Sequence, residues 1–180
     1  MTQLPKIMGI TGWSGSGKTG LIIRLIPELA ARGYAVATVK HAHHDFDIDK
    51  PGKDSYEHRV AGAAEIIISS ARRWAIVHEN RDDAEPTLED MLRKLSPVDI
   101  VLIEGYKDEV HDKIEVHRPS TGAELICRQN VSVIAVACDE LRNEALTEIS
   151  LPVLDLNDAG AIADFVVEQC GLARRVEGAV

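Results

Sequence analysis

The chain of 180 residues carries 29 acidic residues against 20 Lys plus Arg, a formal charge of −9, and its length fits one domain of ordinary size. That balance argues against nonspecific binding to nucleic acid or an anionic membrane surface, which needs a basic face, and no apolar run approaches the ~18 uninterrupted residues of a membrane span. With 45% hydrophobic residues but only 4% aromatic ones, the core must be filled by Ile, Val, Leu and Ala, as in a parallel sheet flanked by helices.

The first residues, MTQLPKIMGITGWSGSGKT, lack a signal-peptide pattern, so a cytoplasmic protein is expected. Cys127, Cys138 and Cys170 form no CxxC pair, which excludes a disulfide framework or an ordinary zinc ribbon and reads as core or incidental thiols.

Lys6 to Thr11 is a short apolar strand that runs into the Gly- and Ser-rich stretch Gly12 to Gly17. Beyond it Leu21, Ile22, Leu25, Ile26 and Leu29 recur at helical spacing until Gly33, a natural helix stop. Pro27 inside that stripe predicts a bend or a local loss of hydrogen bonding. Tyr34 to His41 reads as a second strand, and the polar loop after it, AHHDFDIDKPGKDS, is too long for a tight turn. Ser55 to Ala64 suits a helix, Glu65 to Ser70 and Arg73 to His78 a hairpin, and Thr87 with Asp90 opens a helix to about Leu95. Arg72, Arg73 and Trp74 read either as a partner surface or as an ordinary exposed hairpin tip. Val98 to Ile103 is the most apolar strand and stops at Glu104-Gly105. Lys113 to His117 looks like an edge strand, Ser132 to Ala137 like a buried one, and Val153 to Leu156 precedes a helix started by Asp158. Residues 1–172 then form one domain of three-layer α/β type with a mainly parallel sheet and a small β-hairpin insertion, and 173–180 a tail. Ligands are expected at the carboxyl ends of the strands.

Gly12-Trp13-Ser14-Gly15-Ser16-Gly17-Lys18-Thr19 satisfies G-x-x-x-x-G-K-[ST] and lies between a predicted strand and a predicted helix, as a phosphate loop requires. Its glycines let successive N–H groups converge on phosphate oxygens at the positive end of the helix. Lys18 would neutralise the β- and γ-phosphates, and Thr19 would offer its hydroxyl to Mg2+. Such a loop needs a carboxylate on a neighbouring strand, and Glu104 is the candidate for the magnesium side and for polarising water. A further acid is expected from the loop after the second strand, among Asp45, Asp47 and Asp54, with Asp45 taken as catalytic. His41, His43 and His44 in that loop are poorly arranged for a simple metal site. Lys40 and Lys107 are either added positive charge at the ligand face or solvated lysines. The usual guanine signature Asn-Lys-x-Asp is absent, and Asp139 is either a base-reading acceptor or a helix cap. Trp13 occupies the place of the lysine of partition-type ATPases, which weighs against their trans-acting mechanism.

The phosphate loop, KHAHHDFDIDKPGKDS, AGA at Ala61 to Ala63, RRWAIVHE at Arg72 to Glu79 and VLIEGYK at Val101 to Lys107 together resemble the molybdopterin-guanine dinucleotide biosynthesis adaptor family, over about residues 5 to 170. The resemblance implies a dimeric GTP-binding protein with slow Mg2+-dependent hydrolysis that assists the nucleotidyltransferase of molybdenum cofactor biosynthesis. By that likeness Gly12 to Thr19 bind GTP, Glu104 takes the acidic role and the Asp-rich loop acts as a switch; direct contact with molybdopterin is left open. Three other readings compete: a small-molecule kinase using the same loop, a metal-delivery GTPase using the His-rich loop, and a nucleotide-binding scaffold with no turnover.

Overall fold

Apolar β-branched runs alternate with helical stripes along the chain, and the computed structural model, which describes residues 5–42, 46, 48–81 and 84–173, converts them into twelve principal elements. In order they are β1 (Lys6–Thr11), α1 (Lys18–Ala31), β2 (Val36–Lys40), α2 (Asp54–Val60), β3 (Glu65–Ser69), β4 (Trp74–His78), α3 (Leu88–Lys94), β5 (Ile100–Glu104), β6 (Lys113–His117), β7 (Val133–Cys138), β8 (Val153–Asp155) and α4 (Ala159–Gln169). The chain divides into two compact units: Met1–His41 with Leu88–Val180, and Ala42–Thr87.

In the larger unit the sheet order is β2-β5-β1-β6-β7-β8, with every pairing parallel. This is the α/β P-loop NTPase arrangement, and it aims all six strand carboxyl ends at one edge. On one face Met8, Ile10, Ile100, Leu102, Ile114 and Val116 pack against Leu21, Leu25 and Leu29 of α1 and Ile162 and Val166 of α4. The three leucines are fully buried, worth about 1.5–3 kcal/mol each. α1 runs through the exposed Pro27 to Ala31. It then closes at Gly33 (φ 82°), where Tyr34 N–H donates to the Leu29 carbonyl and Gly33 N–H to that of Ala30, a Schellman ending. Asp158 caps α4 by accepting from Ala161 N–H at 2.9 Å.

The opposite face is apolar at its two sides and polar in the middle. Leu88 and Leu92 of α3 cover Val101 and Ile103, and Leu125 and Leu146 cover Val136 and Cys138. Between them β6 presents Lys113, Glu115 and His117. Its alternating polarity suggests an edge strand, yet β6 lies inside the sheet between β1 and β7 with all five residues buried. Backbone groups of the covering loops make this tolerable. The Lys113 ammonium donates to the carbonyls of Glu109 and His111, and the Glu115 carboxylate accepts from Ile126 N–H at 2.8 Å and Cys127 N–H at 2.9 Å. Buried charges persist when hydrogen-bonded in this way. Burial first of all pushes the Cys127 and Cys170 thiols up to about 11, as inert core thiols require.

His111 belongs to the same polar strip. It is 9% exposed, and among the described residues neither ring nitrogen has a hydrogen-bond partner. A Cβ at Gly9 would stand 2.7 Å from its Nε2, so only glycine admits the ring there. Burial, and then the Lys113 charge, hold its pKa down to about 4, with Asp112 opposing. An unfolded histidine titrates near 6.5. The unfolded chain therefore binds the extra proton between pH 6.5 and 4, and stability is full above that window and falls through it, by no more than about 3 kcal/mol. Urea midpoints at pH 7 and pH 4.5 test this: the drop is expected to be smaller in His111→Gln than in the wild type.

The smaller unit is built on α2 and the antiparallel pair β3/β4, in the register Ile67↔Ile76 and Ser69↔Trp74. α2 stops at Val60, before the expected Ala64, because Gly62 (φ 108°) turns the chain and Ala63 N–H closes back on the His58 carbonyl. Asp49, from the ligand-dense loop, is buried and held by Arg59 at 3.0 Å. Arg59 also pairs with Glu79 at 3.5 Å and lies over the Tyr56 ring, so this carboxylate is engaged within the unit's own structure.

Candidate phosphate-binding site

The loop between β1 and α1 is shaped by its glycines. Gly12, Gly15 and Gly17 have φ of 145°, 80° and 101°. A Cβ at Gly12 would lie 2.5 Å from the Val116 carbonyl oxygen, whereas Gly15 faces open space. The loop thus seats on β6 at its first glycine and leaves backbone uncovered at its second. α1 starts after Gly17 with no side-chain cap and no acid in its first turn, so its N–H groups and the positive end of its dipole are free for an anion. The Lys18 ammonium donates to the carbonyls of Gly12 at 2.9 Å and Trp13 at 2.8 Å, which bends the side chain over the cup. Burial lowers its pKa; Glu104 opposes, and Lys107 and Lys40 reinforce the lowering. Both of those lysines are therefore within electrostatic reach of the loop. Lys107 stands 5.2 Å above the Trp13 ring, whose Nε1 donates to the Glu124 carbonyl.

Glu104 arrives at this loop through register. Lys40, Glu104 and Ile10 are paired neighbours on β2, β5 and β1, so the carboxylate emerges one residue short of the loop. It accepts the Thr19 hydroxyl at 3.1 Å and faces Lys40 at 3.7 Å. Gly105 (φ 98°) is needed behind it, since a Cβ there would meet His41 Cβ at 2.8 Å. Two hard oxygen donors side by side fit Mg2+, which keeps several waters and takes its other oxygens from phosphates. They do not fit a protein-caged transition metal, and among the described residues no group of three or more His, Cys, Asp or Glu is arranged to hold a metal ion.

Asp139 follows β7 at the same sheet edge, faces Arg118 at 3.6 Å, and among the described residues its Oδ1 is buried without a hydrogen-bond partner. Arg118 carries one signal in the sequence, a basic residue directly after a strand and before Pro119. Asp45 and Asp47, with His43 and His44, lie outside the described residues. Asp54 is the exposed first residue of α2, in the smaller unit.

The family model for molybdopterin guanine dinucleotide synthesis protein B matches residues 7–139. The chain belongs to this family. Its match spans the phosphate loop, Glu104 and Asp139. The molybdopterin-guanine dinucleotide biosynthesis adapter protein of Escherichia coli is 44% identical over 172 residues, covering 93% of this chain and 94% of its own. That of Haemophilus influenzae is 41% identical over 167 residues, covering 91% and 88%. A crystal structure of molybdopterin-guanine biosynthesis protein B superposes with TM-score 0.69 at 28% identity, covering 91% of this chain and 99% of that one. A Bacillus subtilis MobB crystal structure does so with 0.70 at 25%, covering 91% and 97%.

Proposed function

We propose that the protein is a GTP-binding adapter in molybdopterin guanine dinucleotide biosynthesis, with weak Mg2+-dependent GTPase activity, working in the cytoplasm beside the nucleotidyltransferase that forms the dinucleotide. The observation that carries this is the pairing of Thr19 with Glu104 at 3.1 Å beside an uncapped α1, in a family whose relatives are named adapters for this assembly.

In this reading the amides of Gly12 to Thr19, Trp13 and Ser14 included, wrap the polyphosphate. Lys18 exchanges its two loop carbonyls for β- and γ-phosphate oxygens. Thr19 and Glu104 would hold Mg2+, which supplies charge neutralisation on the phosphates when bound. Glu104, 15% exposed at its side chain, orients water on the phosphate side, and Asp45 contributes the second acid. Asp139 accepts from the base. Molybdopterin itself would meet the partner enzyme, with or without direct contact to this chain.

Calorimetric titration of GTP and ATP with Mg2+, repeated in the presence of the nucleotidyltransferase, tests the reading. It expects a GTP preference, turnover far below the ~10 per second of a typical enzyme, and stimulation of dinucleotide formation by the partner. An ATP preference, or fast unassisted turnover, contradicts it.

A homodimer is part of the same proposal. On one face of the β3/β4 hairpin Ile67, Ile76 and Trp74 are 67%, 48% and 65% exposed. A two-stranded sheet is marginal alone, and an apolar patch of this kind marks a contact surface. Ile67→Glu combined with Ile76→Lys is expected to halve the mass measured by light scattering. An unchanged mass contradicts the assignment of the interface.

A further inference from the structure

The guanine signature that carries a cation and a carboxylate on one tetrapeptide is missing from this chain, yet the sheet brings such a pair together from two strands. β6 and β7 end in register at His117↔Cys138, so the next residues, Arg118 and Asp139, leave the sheet side by side. The Arg118 backbone is fixed there: its carbonyl accepts from Thr121 N–H at 3.0 Å and the Thr121 hydroxyl at 2.8 Å as the chain enters the short 3-10 turn Pro119–Thr121. Its side chain reaches in two directions. Nε donates to the Ser16 carbonyl of the phosphate loop at 3.0 Å, and Nη1 faces Asp139 Oδ2 at 3.6 Å. A Cβ on Gly17 would stand 3.3 Å from Nε and 3.4 Å from Nη2, so the glycine leaves room for the guanidinium along the loop.

We infer that Arg118 is a positioning residue for base recognition, acting through Asp139. This rests on reading the site as a GTP site. Arg118 faces one carboxylate oxygen and leaves Oδ1 buried and unpartnered among the described residues. A carboxylate offered this way accepts the N1–H and N2–H donors of guanine. Adenine has no such pair, and a site built around substrate N–H groups discriminates strongly against an analogue without them. The rigid fork of Arg suits a residue that must hold a carbonyl and a carboxylate at once. Because it grips the phosphate loop as well, Arg118 ties the position of the base reader to that of the polyphosphate.

The test measures affinities of the full-length protein, with Mg2+, for GTP, inosine triphosphate, ATP and inorganic tripolyphosphate in wild type, Arg118→Gln, Arg118→Lys, Asp139→Ala and the double variant Arg118→Gln/Asp139→Ala. Melting temperatures are measured alongside. Expected are a GTP-over-ATP ratio reduced about tenfold in Arg118→Gln, a loss of tripolyphosphate affinity several-fold smaller than the loss for GTP, and partial recovery of the ratio in Arg118→Lys. Inosine triphosphate, lacking the N2 donor, is expected between GTP and ATP in the wild type. In the Asp139→Ala background Arg118→Gln is expected to change the ratio no further. Equal loss for every ligand, tripolyphosphate included, overturns the inference in favour of loop support alone, as does an unchanged ratio in Arg118→Gln or an undiminished effect in the double variant. Failure of the broader GTP reading shows separately, as a wild type that does not distinguish GTP from ATP.

Discussion

Lys18→Ala is expected to weaken Mg2+-dependent GTP binding by at least about thirtyfold while leaving the melting temperature nearly unchanged. The ammonium meets two loop carbonyls, those of Gly12 and Trp13, and its pKa is lowered chiefly by burial. A partly desolvated cation whose partners are neutral dipoles gains most when a phosphate arrives, and truncating one member of a charge-assisted contact costs about 2–5 kcal/mol in binding. The fold loses little, because the two carbonyls recover water in a loop open at Gly15. Calorimetry of GTP with Mg2+, together with a thermal melt, separates the two effects. Retained affinity in Lys18→Ala contradicts the assignment of the loop.

Glu115→Ala is expected to produce the largest loss of stability from a single site, about 3–5 kcal/mol. The residue is fully buried and accepts the N–H groups of Ile126 and Cys127. Truncation orphans both donors, each costing about 1–3 kcal/mol, and leaves a void in a well-packed interior. For a chain of this length the melting temperature would fall by roughly 10 °C. Glu115→Gln keeps the size and one acceptor oxygen but turns an amide N–H toward a backbone N–H, so an intermediate loss is expected. Differential scanning calorimetry of both variants checks the order; a neutral Glu115→Ala contradicts the role of the carboxylate as the anchor of the 126–128 turn.

Legibility in the sequence followed the range of the interaction. β1, the phosphate loop and α1 were readable because glycines, lysine and the leucine stripe lie within one local segment, and Asp158 announced α4 through a cap three residues long. Glu104 was readable too, as the polar end of the most apolar strand, although its contact with Thr19 spans 85 residues. Alternating Lys, Glu and His normally means a solvated face, so the pattern of β6 suggests a sheet edge although the strand lies between β1 and β7. The backbone groups that satisfy those charges belong to loops 105–112 and 118–130, and nothing in a five-residue window reveals them. Arg118 had no signature, since its meaning comes from the register of β6 on β7 and from a loop about a hundred residues earlier. In the ligand-dense loop the sequence showed a surplus of carboxylates without sorting them: Asp49 is engaged by Arg59, a partner ten residues on.

A crystal structure with a non-hydrolysable GTP analogue and Mg2+ tests the central claim most directly. Phosphate density is expected inside the Gly12 to Thr19 loop, with Lys18 Nζ moved from the two carbonyls onto phosphate oxygens and Thr19 and Glu104 facing the metal. Nucleotide density elsewhere on the chain, with Lys18 still bonded to Gly12 and Trp13, would contradict it.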